Sequence, residues 1–157
     1  MFLYYYVHVQ GPFEQVELQV LRMLPGLRGW ANDAYREGEH LYTRLCTPKG
    51  RLAKTVELTV AEPARGATET WIPIEWEATG TPSLFPRMQA DLVVAAVGLE
   101  LAQIALRGAY QVPLGKVGVA INRTFLHRVA EASVKSFLDR IATAATERSA
   151  VVEGSVG

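Results

Sequence analysis

Few side chains in this 157-residue chain stand at spacings that suggest chemistry. His127 and Glu131 are four apart and would share one face of a helix. Such a pair can act as a general base or supply half of a metal site. A metal site needs three or four converging ligands, and His8 and His40 have no helical or tight-turn spacing that would join them to this pair. The pair therefore reads as a surface contact or a hydrogen bond from helix to sheet. Cys46 is the only cysteine, so no disulfide can form within the chain. A reactive thiolate needs a base or a helix N-terminus beside it, and the sequence offers neither, so Cys46 reads as a small packing residue. No Gly-x-Ser-x-Gly elbow is present. Gly115-Lys116-Val117-Gly118 lacks both the spacing and the hydroxyl of a phosphate-binding loop. No catalytic residue, metal ligand or cofactor site is assigned.

Charged residues on the long strand-like segments are Glu75, Glu77, Arg87, Asp91, Glu100 and Arg107. Acid–base chemistry would need such groups inside a cavity. Strand alternation instead sets Glu75 and Glu77 opposite Trp76, and Arg107 opposite Leu106, which turns them to solvent. Tyr110 carries the hydroxyl on the inner face of its strand. It could orient a bound molecule, donate a proton, or bond the start of the following helix.

Composition narrows the class. Lys+Arg and Asp+Glu balance at 16 each, which argues against a broad nucleic-acid footprint and gives little attraction to anionic membranes. A chain of this length can bury roughly 70% of its unfolded surface and needs no disulfide or metal to hold it. Met1 to Tyr6 is apolar but has no basic region before it and no small-residue cleavage site, so it does not read as a signal peptide. The longest apolar run, Leu92 to Leu99, is too short to span a bilayer. With its lone cysteine, the chain reads as cytoplasmic.

The elements that must position these residues follow from periodicity. Leu3 to Gln10 reads as a strand ended by Gly11-Pro12, with Pro12 suited to the first position of a helix. Phe13, Val16, Val20, Leu21 and Leu24 mark a helical stripe, stopped by Pro25-Gly26. Leu27 to Asn32 is a turn or short second helix, and Asp33 to Arg36 a short strand. His40 to Thr47, Ala53 to Ala61 and Thr70 to Thr79 read as strands, with turns at Pro48-Lys49-Gly50, at Glu62 to Thr68 and at Gly80 to Ser83. Pro73 cannot donate to a ladder, which predicts an edge or a bulge there. Leu84 to Ala96 and Leu99 to Tyr110 form a long hairpin around Gly98. Helix is a rival over Leu92 to Leu106, but Val93-Val94, Gly98 and the hairpin logic favour strand. A long helix follows from Val117 to Ala145, with Ile121, Phe125, Val129, Val134, Phe137, Leu138 and Ile141 on its apolar face. The expected organisation is one α+β domain over 1–146 and a flexible C-terminal tail over 147–157.

This order, one strand, one or two short helices, a run of strands and a long helix, resembles the helix-grip fold of the START-like superfamily, also called SRPBCC. That superfamily includes pollen-allergen-type lipid carriers and polyketide cyclases. Locally, Leu106 to Gly115 followed by Leu126 to Glu131 is similar to bacterial members. The resemblance implies a curved antiparallel sheet of six or seven strands around the C-terminal helix, with a hydrophobic cavity between them. Trp76, Met88 and Tyr110 would line it from the strands, and Phe125 and Val129 from the helix. Gly108, Gly115 and Gly118 would let the chain turn and the helix approach the sheet. The expected partner is a small hydrophobic molecule, held as cargo or signal. A cyclase, aromatase or dehydratase is the alternative. A protein-interaction module with a filled core, presenting Tyr5 or Trp71, is the second.

Overall fold

The computed structural model describes residues 2–34, 55–79, 87–111 and 123–153. Strand β1 (Phe2–Gln10) leads into helix α1 (Phe13–Met23), a single 3-10 turn (Leu24–Gly26) and helix α2 over 27–34. Strands β2 (Thr55–Val60), β3 (Ala64–Arg65), β4 (Glu69–Thr79), β5 (Arg87–Gly98) and β6 (Leu101–Gln111) follow, then helix α3 (Arg123–Glu153). All strand pairs are antiparallel, in the order β1-β6-β5-β4-β2, with β3 also paired to β4. The curved sheet wraps the C-terminal helix, so the predicted helix-grip α+β architecture is the one observed. The predicted strand His40 to Thr47, the turns at Pro48 and Gly80, Leu84 to Pro86, and the junction with Gly115 and Gly118 lie outside the described residues. So do Cys46 and His40.

Period-two burial builds the sheet. On β1, Leu3 and Val9 are buried and Tyr5 and Val7 pack on the core, while Phe2, Tyr4, Tyr6 and His8 face outward. Gly11 then adopts φ 131°, a conformation that side chains with a Cβ rarely reach. Its N–H donates to the Glu100 carbonyl at 3.0 Å, tying this turn to the β5–β6 hairpin. Pro12 is the N-cap of α1 rather than its first residue, with ψ 149° and its carbonyl accepting from Gln15 and Val16. Phe13, Val16, Val20 and Met23 form the buried stripe of α1, with Leu21 and Leu24 only partly buried. The short strand expected from Asp33 is corrected for its first two residues. Asp33 and Ala34 continue α2, because Leu27, Ala31 and Ala34 form one buried helical stripe.

Pro73 is likewise not on an edge strand, since β4 lies between β2 and β5. Its carbonyl accepts from Ala61 N–H at 2.9 Å. In an antiparallel strand the N–H and C=O of one residue point to the same neighbour. The missing donor therefore faces the interval between β2, which ends at Val60, and β3, which starts at Ala64. The ladder is interrupted where proline could not have served it.

The β5–β6 hairpin forms as strands, with a register shift between Ala96 and Gly98 before the turn at 99–100. Its apolar run looked helix-compatible because both faces are apolar at mid-strand. Val93 and Ala105 pair directly on the outer face and are also buried, flanked in the same row by Trp71 and Tyr6. Gly108 sits opposite Ala90 on the concave face, where a Cβ would lie 2.7 Å from the Ala90 Cβ and 3.0 Å from the Gln89 carbonyl oxygen. What comes close at Gly108 is thus a neighbouring strand rather than the helix.

Helix α3 packs on β1, β6 and α1. Its underside buries Val134, Phe137, Leu138, Ile141 and Ala145. The helix continues to Glu153, through positions where the sequence suggested a tail. Helix α1 is tied down by a buried carboxylate. Glu17 accepts two hydrogen bonds from the Arg65 guanidinium, at 2.9 and 2.8 Å, and one from the Thr70 hydroxyl. The Arg65 bonds hold the Glu17 carboxyl below its usual pKa of 4.5, against the opposing effect of burial.

Two outcomes follow. Gly108→Ala should lower stability by about 1–3 kcal/mol through overpacking against Ala90, read as a shift in urea midpoint. Because the folded pKa of Glu17 is depressed, its contribution is fully present above about pH 4.5 and fades as pH falls through the folded value. Glu17→Gln should cost roughly 1–2 kcal/mol at pH 7 and flatten the acid limb of a stability–pH curve. An unchanged acid limb would refute the latch.

Candidate functional site

The register of four strands assembles the site. Leu58 pairs with Trp76, Trp76 with Met88, and Met88 with Tyr110, so these side chains form one row across β2, β4, β5 and β6. All four face the concave side and are buried, from Tyr110 at 1% exposure to Trp76 and Met88 at 6%. The row exists because each residue falls on the inner phase of its own alternating strand. Opposite it, Phe137 of α3 meets Trp76 edge-on, with ring centroids 5.5 Å apart and planes at 79°. This is a favourable aromatic geometry and fixes the height of the helix above the sheet at that point.

Two polar groups accompany this apolar wall. The Tyr110 phenol is held above its ordinary pKa, first by burial and then by the negative charge of Glu131 on α3. It stays protonated across the physiological range and can donate a hydrogen bond. Glu131 sits half-buried, two residues before Ser133. On the other flank of α3, Ser133 is buried, and its hydroxyl has no hydrogen-bond partner among the described residues. The aromatic and thioether surface thus carries a neutral phenol with a carboxylate near it. That composition suits a mostly apolar molecule with a few polar atoms.

Of the five residues expected to line a cavity, the structure brings Trp76, Met88 and Tyr110 into one row. Phe125 and Val129 belong to α3, but their side chains lie outside the described residues, as does that of His127. Leu58, Phe137 and Ser133 were not singled out as site residues. Leu58 and Phe137 could have been, since each occupies the predicted inner phase of its element. Ser133 stands four residues before Phe137, and helical spacing alone places it on the same flank.

The charged residues of the long strands lie on the outer face. Arg87 bonds Glu75 and lies 3.4 Å from Glu77. The Arg107 guanidinium sits over the rings of Tyr4 and Trp71, 5.6 and 5.4 Å from their centroids. The suggestion that Tyr5 presents an exposed face is corrected. Tyr5 points to the concave side, and Tyr4 and Tyr6 point out, because the strand phase is set by Leu3 and Val9. His8 is exposed beside Tyr6. Among the described residues no group of three His, Cys, Asp or Glu side chains could hold a metal ion, and no helix is long and apolar enough to cross a membrane. An open surface groove of about 680 Å³ runs along the outer flank of α3, between Trp30 and the polar side chains of Lys135, Asp139 and Arg140.

No protein-family model matches the sequence, and no curated protein matches it. Solved structures do match the fold. A conserved protein from Geobacillus kaustophilus superposes with a TM-score of 0.56 at 15% identity, covering 94% of this chain and 96% of that one. The Zhui aromatase/cyclase from Streptomyces sp. R1128 gives a TM-score of 0.51 at 16% identity, covering 94% of each chain. At such identities the likeness speaks for the fold alone. In fold, the chain is a helix-grip α+β protein, as these solved structures are.

Proposed function

We propose that the chain binds a small hydrophobic molecule, lipid- or polyketide-like, between the concave sheet and α3, and serves as a cytoplasmic carrier or sensor. The observation that carries this reading is the row Trp76–Met88–Tyr110 on the inner face, opposed by α3. Large aromatic and thioether side chains give an adaptable apolar wall, and Tyr110 supplies a directional polar contact. Phe125 and Val129 would complete the wall from the helix side.

A second reading, an enzyme of the cyclase, aromatase or dehydratase kind, is favoured by one specific feature. The Tyr110 phenol and the Glu131 carboxylate are close enough for the charge of one to shift the other. A protonated phenol can donate to a carbonyl oxygen as negative charge develops on it. A carboxylate beside it can accept the proton leaving the adjacent carbon.

Native mass spectrometry of the freshly purified protein, followed by organic extraction, tests the first reading. A discrete extra mass that extracts as an apolar compound is expected. A clean apo mass, with no shift on adding apolar compounds, would count against it. Tyr110→Phe separates the two readings. A carrier should change affinity by about 1 kcal/mol or less. An enzyme that uses the phenol should lose turnover by about 100-fold or more.

A further inference from the structure

Strand β1 holds none of the side chains that ordinarily blunt a sheet edge. Among the described residues it pairs with β6 alone, without a break from Phe2↔Ala109 to Gln10↔Leu101. The direction of its backbone groups follows from that register. One step beyond it, Gly11 N–H donates to the Glu100 carbonyl. Along an antiparallel strand such residues alternate with residues whose N–H and C=O point to the other side. Leu3, Tyr5, Val7 and Val9 therefore serve β6, and Phe2, Tyr4, Tyr6, His8 and Gln10 turn theirs to the outer edge. Sheet edges are commonly protected by lysine, proline, an inward charge or a bulge. Phe2–Gln10 contains no Lys, Arg, Asp, Glu or Pro.

The side chains of the edge-facing residues stand on the outer face of the sheet. Phe2, Tyr4 and Tyr6 are 67, 44 and 53% exposed. The rings of Tyr4, Tyr6 and His8 follow one another with centroids 5.8 and 5.4 Å apart. Contiguous exposed aromatics mark contact surfaces. On the inner side Tyr5 and Val7 are only partly buried, while Leu3 and Val9 toward the strand ends are 2% exposed. Edge backbone, outer rings and inner apolar surface are thus all open at the middle of one strand. We propose that β1 pairs antiparallel with β1 of a second copy of the chain, about a two-fold axis at Tyr6, joining two sheets into one. The axis sets Tyr6 against the partner's Tyr6, Tyr4 against the partner's His8 and Phe2 against the partner's Gln10 in the hydrogen-bonding positions. Between them Leu3 meets the partner's Val9, and Tyr5 the partner's Val7. Each edge-facing N–H then finds a C=O of the same set, the self-complementarity that a two-fold interface requires. No like charges are brought together, and Tyr against Val is a favourable cross-strand pair. Moving the axis to Tyr5 or Val7 would leave two residues at each strand end without a partner. Two strand edges bury less than about 1,200 Å², so the dimer is weak and reversible.

Sedimentation velocity of the full chain between about 1 and 300 μM tests this, with a rise from monomer to dimer expected across the range. Tyr6→Lys sets two ammonium groups together at the axis and should raise the dissociation constant about tenfold or more. Tyr6→Cys in a Cys46→Ser background should form an intermolecular disulfide on mild oxidation, because paired Cα atoms about 5.5 Å apart lie within disulfide reach. Tyr4→Cys in the same background should not, since the axis sets Tyr4 against the partner's His8. A chain that stays monomeric throughout overturns the proposal, as does a dimer that Tyr6→Lys leaves unchanged. Equal cross-linking from the two cysteine variants also overturns it, and this comparison decides the matter even if Tyr6→Lys does not fold.

Discussion

Two apolar surfaces in this protein depend on each other for burial: the concave face of the sheet and the underside of α3. Neither could stand in water alone, since each exposes a run of large side chains, Trp76, Leu92, Ile104 and Leu106 on one side and Val134, Phe137, Leu138 and Ile141 on the other. Burial of apolar area is worth about 25 cal/mol per Å², and it is collected only if the sheet curves enough to meet a cylinder. Gly108 allows the close approach of β6 to β5 that this curvature needs. Helix α1 packs against β5, β6 and α3, and so adds a third apolar surface to the same core.

Against this background two of the buried polar groups of the helices, Glu17 and Ser133, stand in contrast. Glu17 on α1 is fully engaged, with Arg65 and Thr70 closing around its carboxylate. It joins α1 to β3 and β4, and its geometry explains why a carboxylate can occupy the buried face of a helix at all. Ser133 on α3 is equally hidden, but its hydroxyl has no partner among the described residues. One group is a fastening within the fold. The other is a buried hydroxyl on the helix underside, one turn from Phe137.

The convex face follows a different logic. Arg87 pairs there with Glu75, and the Arg107 guanidinium lies over the faces of Tyr4 and Trp71. Exposed ion pairs of this sort add little stability. Trp71 and Tyr6 at the ends of the Val93–Ala105 row allow apolar residues on both faces of the central hairpin. That is why the hairpin sequence lost clean alternation and invited a helical reading.

The order of elements, the inner phase of β4 and β6 and the apolar stripe of α3 were legible in the sequence, because each rests on a period of two or 3.6 within a single element, whereas the phase of β1, with Tyr5 turned inward, was not. Side-chain phase is a local property, so Trp76, Met88 and Tyr110 could be assigned to one face before any pairing was known. Pairing was not local. That Trp76, Met88 and Tyr110 stand in one row, that Arg65 reaches Glu17 from 48 residues away, and that Pro73 meets the break between β2 and β3 were decided by register and sheet curvature. The same holds for Ser133. A helical wheel places it beside Phe137, but only the packing of α3 on the rest of the fold removes its water and leaves its hydroxyl without a partner among the described residues.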